Sequence, residues 1–152
     1  MNEKLEIVGI SDIDELMSWR AEVIRAVFGI EASDTLLQNN RDYYLRHIPD
    51  GSHIAVKAVS DGEDAGCGAL CFHEELPSPD NPSGKCGYLM NIYVRPQHRN
   101  RGIAHEIVKS LVNKCKTRDC GKIYLETTKD AKSLYSSLGF QEMKAIMHLV
   151  DQ

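Results

Sequence analysis

Residues 87–116 read as a strand, a basic turn and a helix in immediate succession, and this junction constrains the fold more than any other stretch. GYLMNIYV, 87–94, is rich in β-branched and aromatic residues and fits a central strand, closed by Pro96. The next stretch, RPQHRNRGIAHEI (95–107), packs Arg95, His98, Arg99 and Arg101 into seven residues. From Gly102 to about Lys116, a buried helical stripe is formed by Ile103, Ile107, Val108, Leu111, Val112 and Cys115. The first amides of a helix have no internal partner, and the dipole there is positive. A helix that begins just after a basic turn is therefore a ready anion site. Gly102 lets backbone approach a bulky anion, Ala104 keeps the first turn slim, and Arg99 and Arg101 can add charge-assisted contacts. A diphosphate matches this site in size and charge. Without the flanking strand and helix, the same arginines would read as a solvated loop, and Arg95 and His98, outside the diphosphate reading, are expected as solvated loop residues.

The rest of the chain supplies a frame. KLEIVGI, 4–10, reads as a first strand, and Ser11 with Asp14 resembles a capping box opening a helix that Gly29 ends. Ser33 or Asp34 caps a second helix, which stops before Pro49. HIAVKAV, 53–59, and AGCGALCF, 65–72, read as a hairpin turned at Asp61-Gly62. Residues 74–86 hold Pro77, Pro79 and Pro82 and form a loop long enough to suspect function. KIYLETT, 122–128, reads as a strand, Asp130 to Leu138 as a short helix ended by Gly139, and FQEMKAIMHLV, 140–150, as a final strand. The order β-α-α-β-β-β-α-β-α-β predicts an α/β (α+β) fold, a mixed sheet flanked by helices, as one domain over 1–152.

Composition narrows the function. A net charge of −4 and the lack of aromatic residues within the basic stretch argue against nucleic acid as a partner. No apolar run is long enough to span a bilayer, so no membrane partner is expected. The charged N-terminus has no apolar signal core, which makes a cytoplasmic protein the simplest expectation. The five cysteines contain no C-x-x-C pair and are expected as reduced thiols. Cys67 and Cys71 would share a strand face, but a metal site needs two more ligands nearby, so no metal is expected.

The segment from Arg99 to Ala104, RNRGIA, resembles the Q/R-x-x-G-x-G/A signature of the GNAT family of N-acetyltransferases. The preceding NIYVRP resembles that family's fourth strand, and AKSLYSSLGF, 131–140, its A-x-x-L-Y-x-x-L-G-F segment. The resemblance implies a mostly antiparallel sheet and acetyl-CoA as co-substrate. It implies that backbone groups of Ile92, Tyr93 and Val94 pair with the pantetheine arm. It also implies that Arg99, Asn100, Arg101, Gly102, Ile103 and Ala104 hold the pyrophosphate, and that Tyr135 protonates the leaving thiolate. A phenol near pKa ~10 can give a proton to a thiolate whose acid has pKa ~8.5. Thr128 stands where many members carry Asn, and a homodimer follows only by analogy.

The acceptor should be an amine, small-molecule or peptide, attacking the thioester directly in a ternary complex after losing a proton to a base. Glu126 is the leading candidate base, with His73, Glu74 and Glu75 as others; Asn91 could orient a water or the acceptor. The acidic 74–86 loop favours a cationic acceptor. Each residue also has a plainer reading: Tyr135 as a core aromatic, Glu126 as a solvent-facing strand residue, Asn91 as a bulge residue, Trp19 as core. The rival function is a non-catalytic acyl-CoA-binding module of the same fold.

Overall fold

The computed structural model describes residues 4–151. The chain runs β1 (Leu5–Ile10), α1 (Ile13–Phe28), α2 (Asp34–His47), β2 (His53–Ser60), β3 (Glu63–Glu74), β4 (Lys85–Val94), a 3-10 turn (Pro96–His98), α3 (Ile103–Thr117), β5 (Lys122–Leu125) and α4 (Lys132–Ser137). The strands form one sheet in the order β1-β2-β3-β4-β5. The first four are antiparallel neighbours, and β5 runs parallel to β4. The expected mixed, mostly antiparallel sheet is the one observed.

Each face of the sheet has its own core. On one face Ile107, Val108, Leu111 and Cys115 of α3 pack over Val56, Leu70 and Leu89. On the other, Leu16, Trp19 and Val23 of α1 and Tyr44 of α2 pack over Ala55 and Cys67. Burying one such aliphatic side chain stabilises by roughly 1.5–3 kcal/mol. Helix α3 sits close to the sheet because the strands beneath it carry glycine. A Cβ at Gly87 would stand 2.4 Å from Cys115 Sγ, and one at Gly68 would stand 2.5 Å from Ile107 Cγ2.

Local signals set most helix ends, with one correction. Helix α1 is capped by Asp12, not Ser11: the Asp12 carboxylate accepts from Glu15 N at 2.9 Å. The partner carboxylate position is therefore Glu15, one residue beyond the Asp14 of the expected box. Gly29 closes α1 in the left-handed conformation, φ 69°, and Ser33 Oγ caps α2 by accepting from Leu36 N at 3.1 Å.

The two ends of the sheet differ from expectation. Strand β5 stops at Leu125 rather than Thr128, and residues 140–150 form no strand. A strand exists only where a neighbour completes its ladder. Beyond Leu125 the neighbouring β4 has turned away, and Thr127 Oγ1 donates to the Thr128 carbonyl instead. The C-terminal segment lies along an open groove of ≈ 1190 Å³ shared with α3, β5 and α4, leaving Met147 and Leu149 exposed.

The Pro-rich loop is a fastened element. Buried Asn81 donates to the Lys85 carbonyl at 3.3 Å and to Glu75 at 3.4 Å, and Lys122 pairs with Glu75 at 3.2 Å.

Candidate active site

The site begins where β4 and β5 part. Their pairing runs from Cys86↔Lys122 to Leu89↔Leu125 and then ends, while β4 continues to Val94. The departure coincides with a bulge. Opposite β3 the register slips between Cys67↔Tyr93 and Ala69↔Met90, and Asn91 takes φ 57°. Past the bulge, the outer edge of β4 has no strand beside it.

Backbone alternation decides which residues face that opening. Arg95 N donates to the Ala65 carbonyl at 2.8 Å, so Arg95 and, two residues earlier, Tyr93 direct their backbone to β3. Ile92 and Val94 therefore turn theirs toward the opening. Of the three residues expected to meet a pantetheine arm, these two have the orientation for main-chain pairing.

Helix α3 starts just past this edge. Gly102 is its N-cap residue, with φ 76°, and Asn100 also has positive φ, 63°. Alternating left-handed residues at a helix start make a concave array of amides suited to an anion. A Cβ at Gly102 would meet nothing within 4 Å, so glycine is required there by conformation rather than by crowding. Ile103 is buried beneath the array and anchors it. Arg99, exposed, donates Nε to the Val94 carbonyl at 3.0 Å, tying the turn to the end of β4. An unpaired strand edge leading to a helix start with an open array of amides has the shape for an elongated ligand with an amide arm and a diphosphate, as acetyl-CoA has.

Arg95 and His98, which the sequence left as solvated loop residues, are structural. Arg95 makes a two-pronged pair with Glu22 at 3.0 and 2.9 Å and lies 4.4 Å over the Trp19 ring. His98 is buried and faces Glu63 at 3.4 Å. The hydrogen bonds from Arg95, first among the causes, hold the Glu22 carboxyl below its ordinary 4.5. A depressed folded pKa contributes stability that is present above the unfolded value and lost as pH falls through the folded one. Arg95→Ala is therefore expected to cost about 2 kcal/mol at neutral pH. The cost should shrink in thermal melts taken below the ordinary 4.5 of the Glu22 carboxyl; a difference constant with pH would contradict this pairing.

The candidate chemical groups divide. Tyr135 is 8% exposed, lies 6.0 Å from Phe140 and belongs to the same packed cluster as Ile103 and Ile107. Burial raises its phenol pKa, which keeps the proton on at neutral pH. Glu126 is exposed at the first position past β5, close enough to Tyr88 that its charge, after burial, raises the Tyr88 phenol pKa. Both Tyr135 and Glu126 line the open groove beside β5. Of the alternative bases, Glu75 is held by Lys122, His73 is bonded to the Tyr124 hydroxyl at 2.8 Å, and Glu74 is exposed at the end of β3. Asn91 accepts from Arg20 Nη1 at 2.7 Å, and Trp19 is core.

Sequence reasoning missed three residues here. Tyr88 and Tyr124 face each other across β4 and β5, with ring centroids 4.9 Å apart. Arg20 reaches the bulge from α1. The strand pattern held a signal for the tyrosines; nothing local held one for Arg20. Tyr43, His53 and Cys71 form a further cluster, with Tyr43 Oη 2.8 Å from His53 Nδ1 and 2.9 Å from Cys71 Sγ. Burial above all pushes the His53 pKa down to about 4, so it is neutral at pH 7. The cysteines are free thiols, and among the described residues no group of three or more His, Cys, Asp or Glu is placed to hold a metal ion. No described helix is long and apolar enough to cross a membrane.

Comparison with known proteins agrees with this geometry. A thialysine N-epsilon-acetyltransferase from Sus scrofa is 29% identical over 113 residues, covering 60% of this chain and 66% of that enzyme, just under two thirds of its length. A predicted acetyltransferase with acetyl-CoA from Clostridium acetobutylicum superposes with a TM-score of 0.85 at 26% identity, over 98% of this chain and 96% of that one. A GCN5-related N-acetyltransferase from Ralstonia eutropha gives 0.79 at 24% identity over 98% and 99%, which speaks for the fold alone. The family model for acetyltransferases of the GNAT type matches residues 13–140, a span that takes in strands β2 to β5, the bulge, the start of α3 and the whole of α4. The chain belongs to the acetyltransferase (GNAT) family.

Proposed function

We propose that the chain is an acetyl-CoA-dependent N-acetyltransferase, with amine and thioester held together in one cleft and no covalent enzyme intermediate. The observation that carries this reading is the unpaired edge of β4 running from the Asn91 bulge to the left-handed Gly102 at the start of α3. Acetyl-CoA supplies the activated acyl group. The backbone of Ile92 and Val94 receives its pantetheine arm as a further strand would be received. The amides from Asn100 to Ala104 hold the pyrophosphate, and Arg99 and Arg101 add charge beside it.

Direct attack needs a neutral amine and a protonated leaving thiol. Glu126, at the point where β5 leaves β4, takes the proton from the amine, directly or through one water, with the Tyr88 phenol near its carboxylate. Tyr135 gives the proton to the departing thiolate; its burial keeps the phenol protonated until that moment. The name of the pig relative supports a thialysine-like acceptor, a primary amine on a flexible side chain.

Initial rates of thiol release should test the order of events. With acetyl-CoA and a primary amine both varied, double-reciprocal lines that intersect support the ternary complex. Parallel lines would replace it with an acyl-enzyme. Cofactor binding without thiol release from any amine would favour the non-catalytic module.

A further inference from the structure

Among the described residues, Arg20 is a cation without an anion. It is half-buried on the sheet face covered by α1 and α2. Its Nη1 donates to Asn91 Oδ1 at 2.7 Å, and its Nε donates to Asn40 Oδ1 at 3.1 Å. Asn40 is itself fixed by donating Nδ2 to the Leu36 carbonyl at 2.6 Å. Both partners of Arg20 are neutral amides. Two other arginines on these helices have carboxylates, Arg25 with Glu31 and Arg41 with Asp14, and Arg95, just past β4, pairs with α1's Glu22. None of the ion pairs among the described residues includes Arg20. Around it stand Tyr44, His53 and Cys67, which feel its charge and supply no carboxylate. Removing a guanidinium from water without a counter-ion is unfavourable. Two bonds from the same planar group also fix its direction, which suits it to receive a carboxylate in a forked geometry.

Its place gives that charge a use. Asn91 is the bulge residue just past the point where β4 leaves β5, so Arg20, bonded to it, reaches the start of the gap between the two strands. Tyr88, whose phenol feels the Glu126 charge, precedes Asn91 by three residues on β4, a separation of about 10 Å along a strand. A ligand bridging Arg20 and Glu126 would carry a carboxylate at one end and an amine several bonds away.

We infer that Arg20 binds the carboxylate of the acceptor, so that the acceptor is an amino acid bearing a side-chain amine rather than a simple diamine or polyamine. This rests on the acetyltransferase reading above. Asn91 and Asn40 are then positioning residues, holding the guanidinium toward the cleft.

The experiment compares thialysine and lysine with bis(2-aminoethyl) sulfide and cadaverine, the same chains without the carboxylate. The wild type should favour the amino acids by about 30-fold in kcat/KM, the weight of one charge-assisted contact. Arg20→Gln should raise the amino-acid KM by about 30-fold, leaving the diamine rates and the acetyl-CoA KM within about twofold. Arg20→Lys should recover part of the preference, and thermal melts report whether each variant is folded. Equal use of diamines by the wild type, equal loss on both acceptor classes in Arg20→Gln, or a raised acetyl-CoA KM would overturn the inference. The last outcome would make Arg20 a prop for the bulge. If no amine of either class is acetylated, it is the acetyltransferase reading that fails. Calorimetric titration of thialysine into the coenzyme A complex then still decides on Arg20. Binding by the wild type that weakens in Arg20→Gln supports it, and no wild-type binding overturns it.

Discussion

Gly102→Asp is expected to raise the acetyl-CoA KM by about 100-fold or more while the acceptor KM stays near wild type. Aspartate tolerates the left-handed conformation better than most residues, and a carboxylate at a helix N-terminus favours the helix. The fold should therefore survive, with a melting temperature slightly lowered by the side chain at positive φ. The added charge, however, would stand among the amides proposed to hold the pyrophosphate. The space there is open, since a Cβ on Gly102 meets nothing within 4 Å, so the carboxylate would point into the ligand's position rather than into protein. Gly102→Asn separates charge from conformation: it keeps the shape and removes the repulsion, and should restore most of the affinity. An unchanged KM in Gly102→Asp would mean that the phosphates bind elsewhere.

Tyr135→Phe is expected to lower kcat by about 100-fold with little change in either KM, the usual weight of a positioned proton donor. The substitution removes only the hydroxyl from a ring that is 8% exposed and packed near Phe140, so the melting temperature should barely move. The loss should come with an altered basic limb of the pH–rate profile, because a buried phenol with a raised pKa is the group that would titrate there. An unchanged rate and profile would leave Tyr135 as a core aromatic and assign protonation of the thiolate to water or another group.

What the sequence revealed and what it hid follow from the range of the interactions. The strand, basic turn and helix over 87–116 were legible because each depends on neighbours a few residues away: β-branched spacing, Pro96, a left-handed glycine, a helical stripe. The strand predicted for 140–150 failed because pairing depends on a neighbour far away in sequence, and β5 offers only Lys122–Leu125. Arg95 and His98 were misread for the same reason. Their partners, Glu22 and Glu63, lie on α1 and at the start of β3, and no local pattern announces a pair formed across such a separation. Arg20 is a further case: it meets Asn91 across 71 positions. The proposed cofactor side of the site is built mainly from one continuous stretch of chain and is readable; the proposed acceptor side is assembled from α1, α2, β4 and β5 and is not.

The measurement that bears most directly on the proposed site is a calorimetric titration of acetyl-CoA into the wild-type protein and into Gly102→Asp. The unpaired β4 edge and the start of α3 predict saturable binding in the wild type, one acetyl-CoA per chain, that is lost or severely weakened in the variant. No heat at millimolar acetyl-CoA, or equal binding by both proteins, would contradict the assignment.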